Sequence, residues 1–124
     1  MAFTATVSHI GGRDILVTIS ETNVGASSEA TITGLPKKGI LLSQLADKTA
    51  GSASTIDPRV TTASGSTLAT QTVIENDTAA ASISNLASPP IPYYSADGKL
   101  YVKSGADSGS DNSITTVLLI RAGW

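Results

Sequence analysis

Residues 2–22 read AFTATVSHIGGRDILVTISET, two runs of alternating side chains around a Gly-Gly pair. In an extended chain Phe3, Ala5 and Val7 point one way and Thr4, Thr6 and Ser8 the other. Beyond Gly11-Gly12 the alternation resumes with Ile15, Val17 and Ile19 on one face. A period of two is what a strand with one buried face requires, and glycine supplies the positive φ of a tight turn. A β-hairpin is therefore predicted over Ala2–Ile10 and Arg13–Thr22.

The same reading carries through the chain. Ser28–Leu35 forms a third strand, ended by Gly34 and Pro36 because proline cannot donate to a ladder. In Gly39–Ala46 the leucines 41, 42 and 45 have helical spacing, but a helix here would be short and poorly capped, so a strand is predicted. Residues 47–66 are dominated by small polar side chains, with Ile56 and Val60 as the only large apolar ones; they read as a long surface excursion with one short strand and a contact role. Thr67–Glu75 and Thr78–Leu86 are expected to pair around Asn76-Asp77. Pro89, Pro90 and Pro92 make a rigid, extended edge segment. Asp97-Gly98 is a favoured hairpin turn, predicted to join Tyr93-Tyr94 to Lys99–Ser104 with Leu100 and Val102 inward. Ser113–Ala122 closes the chain, and its unbroken Val117-Leu118-Leu119-Ile120 suits a central strand covered on both faces. Many short strands with regular turn signals predict an all-β fold over residues 1–124, a single-domain antiparallel β-sandwich or jelly-roll-like fold with extended arms or loops.

Composition agrees. Of the 124 residues, 40% are hydrophobic, enough for a core, while 4% are aromatic, so Val, Ile and Leu must fill it. Charged residues are only 15%, so solubility rests on 17 Ser and 16 Thr, types that favour turns and strands. A net charge of −2 without a basic face argues against a nucleic-acid partner; Lys37-Lys38, between Pro36 and Gly39, reads as a solvated turn. With no cysteine, disulfides and thiolate-bound metals are excluded. Neither a signal peptide nor an apolar run of about 20 residues is present, so synthesis in the cytoplasm and no membrane partner are expected.

Chemistry is sparse. The sole histidine, His9, has Asp14 across the expected hairpin but no G-x-S-x-G nucleophile elbow to serve. Glu21, Glu29 and Glu75 form no evident acid pair, and no phosphate-cradling glycine motif occurs. Asp107-Ser108-Gly109-Ser110-Asp111-Asn112 offers alternating oxygens, yet lacks the EF-hand glycine position and final glutamate, and suits an exposed loop. No catalytic residue, cofactor or metal is assigned, and a non-enzymatic protein is expected. Four of the five aromatics, Tyr93, Tyr94, Tyr101 and Trp124, crowd the last third. Trp124, Tyr93, Tyr94, Pro89 and Pro90 are the candidate partner-binding residues, since aromatics anchor interfaces and rigid extended segments add to neighbours.

Taken together, the early strand after Met1-Ala2, the Thr/Ala/Ser alternation, the missing cysteine, the Tyr94–Tyr101 turn and the close in Val117–Trp124 resemble small bacteriophage virion structural proteins, above all capsid cement or decoration proteins. That resemblance implies a location in the virion, a homo-oligomer (a trimer by type), and the major capsid protein or other virion subunits as partners. Tail, adaptor or fibre components share the same style, and a carbohydrate- or receptor-binding β module using the tyrosines is the alternative. The resemblance transfers no individual functional residue.

Overall fold

The computed structural model describes residues 2–25, 28–52, 56, 59–62, 72–75, 82–103 and 111–123. Among these residues nine strands follow in chain order: β1 (Ala2–Gly11), β2 (Asp14–Val24), β3 (Glu29–Ile32), β4 (Lys38–Ala50), β5 (Arg59–Thr61), β6 (Thr72–Glu75), β7 (Ser82–Tyr94), β8 (Leu100–Lys103) and β9 (Asn112–Ala122). They form two antiparallel sheets, ordered β1-β2-β9-β4-β7 and β3-β8-β5-β6. Without β1, the remaining strands divide four and four between the sheets in the order of a jelly roll. The first strand is an extra one, laid on the rim of a complete roll.

The opening hairpin forms as its alternation requires. Gly11 pairs with Asp14 and Gly12 supplies the positive φ, 54°, at the turn. In β2, Ile15, Val17 and Ile19 turn inward and meet Leu118 and Ile120 of β9 and Leu41 of β4 in one core. The second sheet contributes Ala30, Ile32, Val60, Leu100 and Val102 to the same core. Burying each large aliphatic side chain of this kind is worth about 1.5–3 kcal/mol. A smaller cluster of Val24, Ala46, Ile56 and Ile114 is buried separately.

Strand β4 explains its own odd spacing. Leu41 pairs with Ile120 of β9, but the next residue in register is Ser43, opposite Leu119, so Leu42 is a bulge. One extra residue shifts the alternation, so that Leu41, Gln44 and Ala46 all face inward while Leu45 is thrown outward. The helical spacing of the leucines is the sum of two strand phases.

Several expectations are corrected. The strands expected to pair around Asn76-Asp77 lie in different sheets: β6 pairs with β5 and β7 with β4, and residues 76–81 fall outside the described residues. Likewise Asp97-Gly98 does not close a hairpin between β7 and β8; it carries the chain from one sheet to the other. Within 47–66, residues 47–50 continue β4, Arg59–Thr61 is an interior strand of the second sheet, and Ile56 and Val60 are fully buried. The Pro89-Pro90 segment, in contrast, is at a sheet edge as expected. It lies in edge strand β7, in the stretch that the β4 register skips between Leu86 and Ile91, where prolines cost no ladder bond.

Candidate interaction surfaces

The two tyrosines expected to act together are separated by the pleat. Tyr93 is 4% exposed and belongs to the core, whereas Tyr94, on the opposite face, is 57% exposed. The Tyr93 hydroxyl donates to the Pro36 carbonyl at 3.0 Å, and burial pushes its phenol up to about 12. Its ring lies over Gly39, where an added Cβ would stand 2.5 Å from Cε2; glycine is there because the ring needs the space. Tyr101 is half-buried on β8, in the other sheet. No shared stacking platform is made by Tyr93 and Tyr94. Pro90 is exposed, and Trp124 lies outside the described residues.

Beyond Tyr94, a tight polar turn redirects the chain. Gly98 N–H donates to the Ser95 carbonyl at 3.2 Å, and Ser95 Oγ accepts the Lys99 N–H at 3.0 Å. The same hydroxyl sits 3.0 Å from Asp97 Oδ1 and 2.7 Å from the Lys99 carbonyl oxygen, two acceptors that compete for its one proton. The Ser95 hydrogen bond holds the Asp97 carboxyl below its ordinary range. Gly98 adopts φ 69°, and its carbonyl accepts the Leu35 N–H at 3.1 Å. The turn therefore ties the β7–β8 crossing to the segment after β3.

The outer face of the five-stranded sheet is the larger feature. Leu16 lies opposite Leu119, and Val117 lies between Thr18 and Leu45, so the four apolar residues Leu16, Leu119, Val117 and Leu45 adjoin across β2, β9 and β4. Leu45 is 41% exposed and the other three are half-buried. This corrects the expectation that β9 is covered on both faces. The strand is central, but only its alternate residues Asn112, Ile114, Thr116, Leu118 and Ile120 turn inward and are buried. The apolar strip is bounded at one end by the Arg121–Asp14 ion pair, Nε to Oδ1 at 3.0 Å, which raises the guanidinium pKa further. At its other end lie Ser20, Thr115 and Asp47. The signal was present in the unbroken run 117–120, because an apolar run places large side chains on both faces whether or not both are covered.

Reactive groups do not converge among the described residues. His9 is exposed on β1 opposite Ile15, while Asp14 Oδ1 accepts from Arg121 Nε–H. No group of three or more His, Cys, Asp or Glu is placed to share a metal ion among the described residues. Of the oxygen-rich stretch 107–112, Asp111 is exposed and Asn112 is buried, its Nδ2 donating to the Val24 carbonyl at 3.3 Å; residues 107–110 lie outside the described residues.

No family model matches this chain, and no curated protein matches it. Among solved structures, it is similar to a chain described as "Cyanophage Pam1 capsid asymmetric unit". The identity is 18% and the TM-score 0.49, with 96% of this chain and 91% of that chain covered.

Proposed function

We propose that this chain is a non-enzymatic structural protein of a virion, a cement or decoration protein that lies on major capsid protein subunits and stabilises the shell. The observation that carries the reading is the uncovered apolar strip Leu16, Leu119, Val117 and Leu45 on an otherwise hydroxyl-rich sheet. A rigid sheet face of this kind offers broad area at little cost in ordering entropy, as a shell clamp needs. The resemblance of the whole sequence to small phage virion proteins supports the same reading, and copies of the chain contacting one another would complete the clamp. A carbohydrate-binding module loses its support, because Tyr93 is in the core while Tyr94 is exposed on the opposite face, so the two rings share no surface. A tail, adaptor or fibre role uses the same kind of surface and is separated from cement by copy number.

The test is density-gradient sedimentation of the native source, with the chain quantified in each fraction. Co-sedimentation with particles at a copy number near that of the shell protein supports cement; a handful of copies supports tail or adaptor. A chain that stays at the top of the gradient refutes the virion reading. Purified Leu45→Asp/Val117→Asp protein should keep its fold, since both residues face outward, and lose at least about tenfold in binding to stripped particles.

A further inference from the structure

Among the described residues, four strands form the free sides of the two sheets: β1 and β7 in one, β3 and β6 in the other. An exposed edge invites pairing, and three of these are blunted in recognisable ways. Strand β7 carries Pro89, Pro90 and Pro92, while β3 and β6 are four residues each and carry Glu29 and Glu75. The fourth is different. Strand β1 is ten residues long, with no proline and no Asp, Glu, Lys or Arg. It also lies beyond the eight strands of the roll, and nine of its ten residues are exposed, Phe3 to 40%. Phe3, Ala5 and Val7 pair with Glu21, Ile19 and Val17 and so share the core-side face.

The sequence of this strand is nearly symmetric about Ala5. Reading outward, Thr4 matches Thr6, Phe3 matches Val7, and Ala2 matches Ser8. We propose that β1 pairs antiparallel with β1 of a second copy, around a twofold axis through Ala5 perpendicular to the sheet. Such an axis keeps the core-side face of each copy on the same side, so residues of like parity meet. Ala5 then faces Ala5, each Thr4 faces the other copy's Thr6, and each Phe3 faces the other copy's Val7. Thr–Thr and aromatic–β-branched pairs are favourable cross-strand neighbours. A strand without formal charge meets no like-charge repulsion from itself. The two five-stranded sheets become one of ten, and the exposed Phe3 and half-buried Val7 gain partners. Two copies, not the three that the resemblance implies, satisfy this edge. The inference stands independently of the virion reading.

Sedimentation velocity of the full chain over a wide concentration range tests it, with dimers expected to form reversibly. Thr4→Glu/Thr6→Glu places like charges opposite each other only in the dimer, because both residues are exposed. That variant should dimerise at least about tenfold more weakly, as should Thr4→Lys/Thr6→Lys, and mixing the two should restore pairing. The chain has no cysteine, so Ala5→Cys introduces a single thiol at the axis. Under mild oxidation it should cross-link at least tenfold faster than Thr6→Cys. A monomer at every concentration overturns the proposal and leaves the edge to a strand of another protein. A trimer overturns it, as do a dimer indifferent to the charge variants and faster cross-linking at residue 6.

Discussion

Thr116 gives the sharpest energetic prediction. It is fully buried on the core side of β9, between Ile19 of β2 and Ala46 of β4, and among the described residues its hydroxyl has no hydrogen-bond partner. A buried hydroxyl without a partner forfeits its hydration, a cost of about 1–3 kcal/mol. Valine has nearly the same shape and no group to desolvate, and it suits a central strand. Thr116→Val is therefore expected to stabilise the fold by about 1–2 kcal/mol, or roughly 4–8 °C in Tm for a domain of this size. The sign is the informative part, since most substitutions in a packed core destabilise. Urea denaturation followed by circular dichroism, with an unchanged m-value, measures it directly. Thr115→Val, one residue away on the outer face, should stay within about 0.5 kcal/mol of the parent. A Thr116→Val protein no more stable than the parent would show that the hydroxyl is paired in solution and that the accounting is wrong.

Two further predictions concern the β7–β8 crossing and its anchor. Gly98→Ala is expected to cost about 2–4 kcal/mol, because φ is 69° and the new Cβ would stand 2.7 Å from the Leu35 carbonyl oxygen. Gly34→Ala, at φ 75° with nothing within 4 Å, should cost only the strain, about 1 kcal/mol; equal urea midpoints for the two variants would refute the close-contact argument. Tyr93 has its phenol raised to about 12 from an ordinary 10.0, so the folded state holds the proton more tightly than the unfolded chain. The resulting stability is fully present below pH 10 and is lost as pH rises toward 12, by about 2–3 kcal/mol in all. Tyr93→Phe should lose about 1 kcal/mol at neutral pH and lack this part of the alkaline decline; parallel urea midpoints for both proteins between pH 9 and 11.5 would contradict it.

How much the sequence discloses differs from strand to strand, for physical reasons. The hairpin 2–22 is legible because it is local: the period-2 pattern and the glycine turn specify both the strands and their partner. In Gly39–Ala46 the strand is legible but its faces are not, since a bulge at Leu42 leaves no residue type that marks it. Asp97-Gly98 marks a turn correctly yet misleads about pairing, and the pairing expected around Asn76-Asp77 fails as well, since β6 and β7 lie in different sheets. Turn residues report backbone dihedrals, and a jelly roll repeatedly sends consecutive strands to opposite sheets. Tyr93 and Tyr94 look equivalent in sequence, and only the placement of β7 decides which ring is buried. The apolar outer strip is written into Val117–Ile120, but whether a second layer covers it depends on the layer count of the fold.

Strand β9 lies between β2 and β4, and its Arg121 is held by Asp14, 107 residues earlier in the chain. The central strand of the larger sheet is therefore synthesised after the four others of that sheet. At about 5–20 residues per second, the apolar face of β2 waits on the order of 5–20 s for its neighbour to leave the ribosome. Throughout that interval the opening hairpin presents Ile15, Val17 and Ile19 without the β9 residues that later bury them. A chain broken off before residue 112 lacks the strand that joins β2 to β4, so an incomplete product cannot assemble the sheet on which any surface of this protein depends. Synthesis of β9 thus acts as a checkpoint, admitting only copies that contain it to whatever assembly they enter.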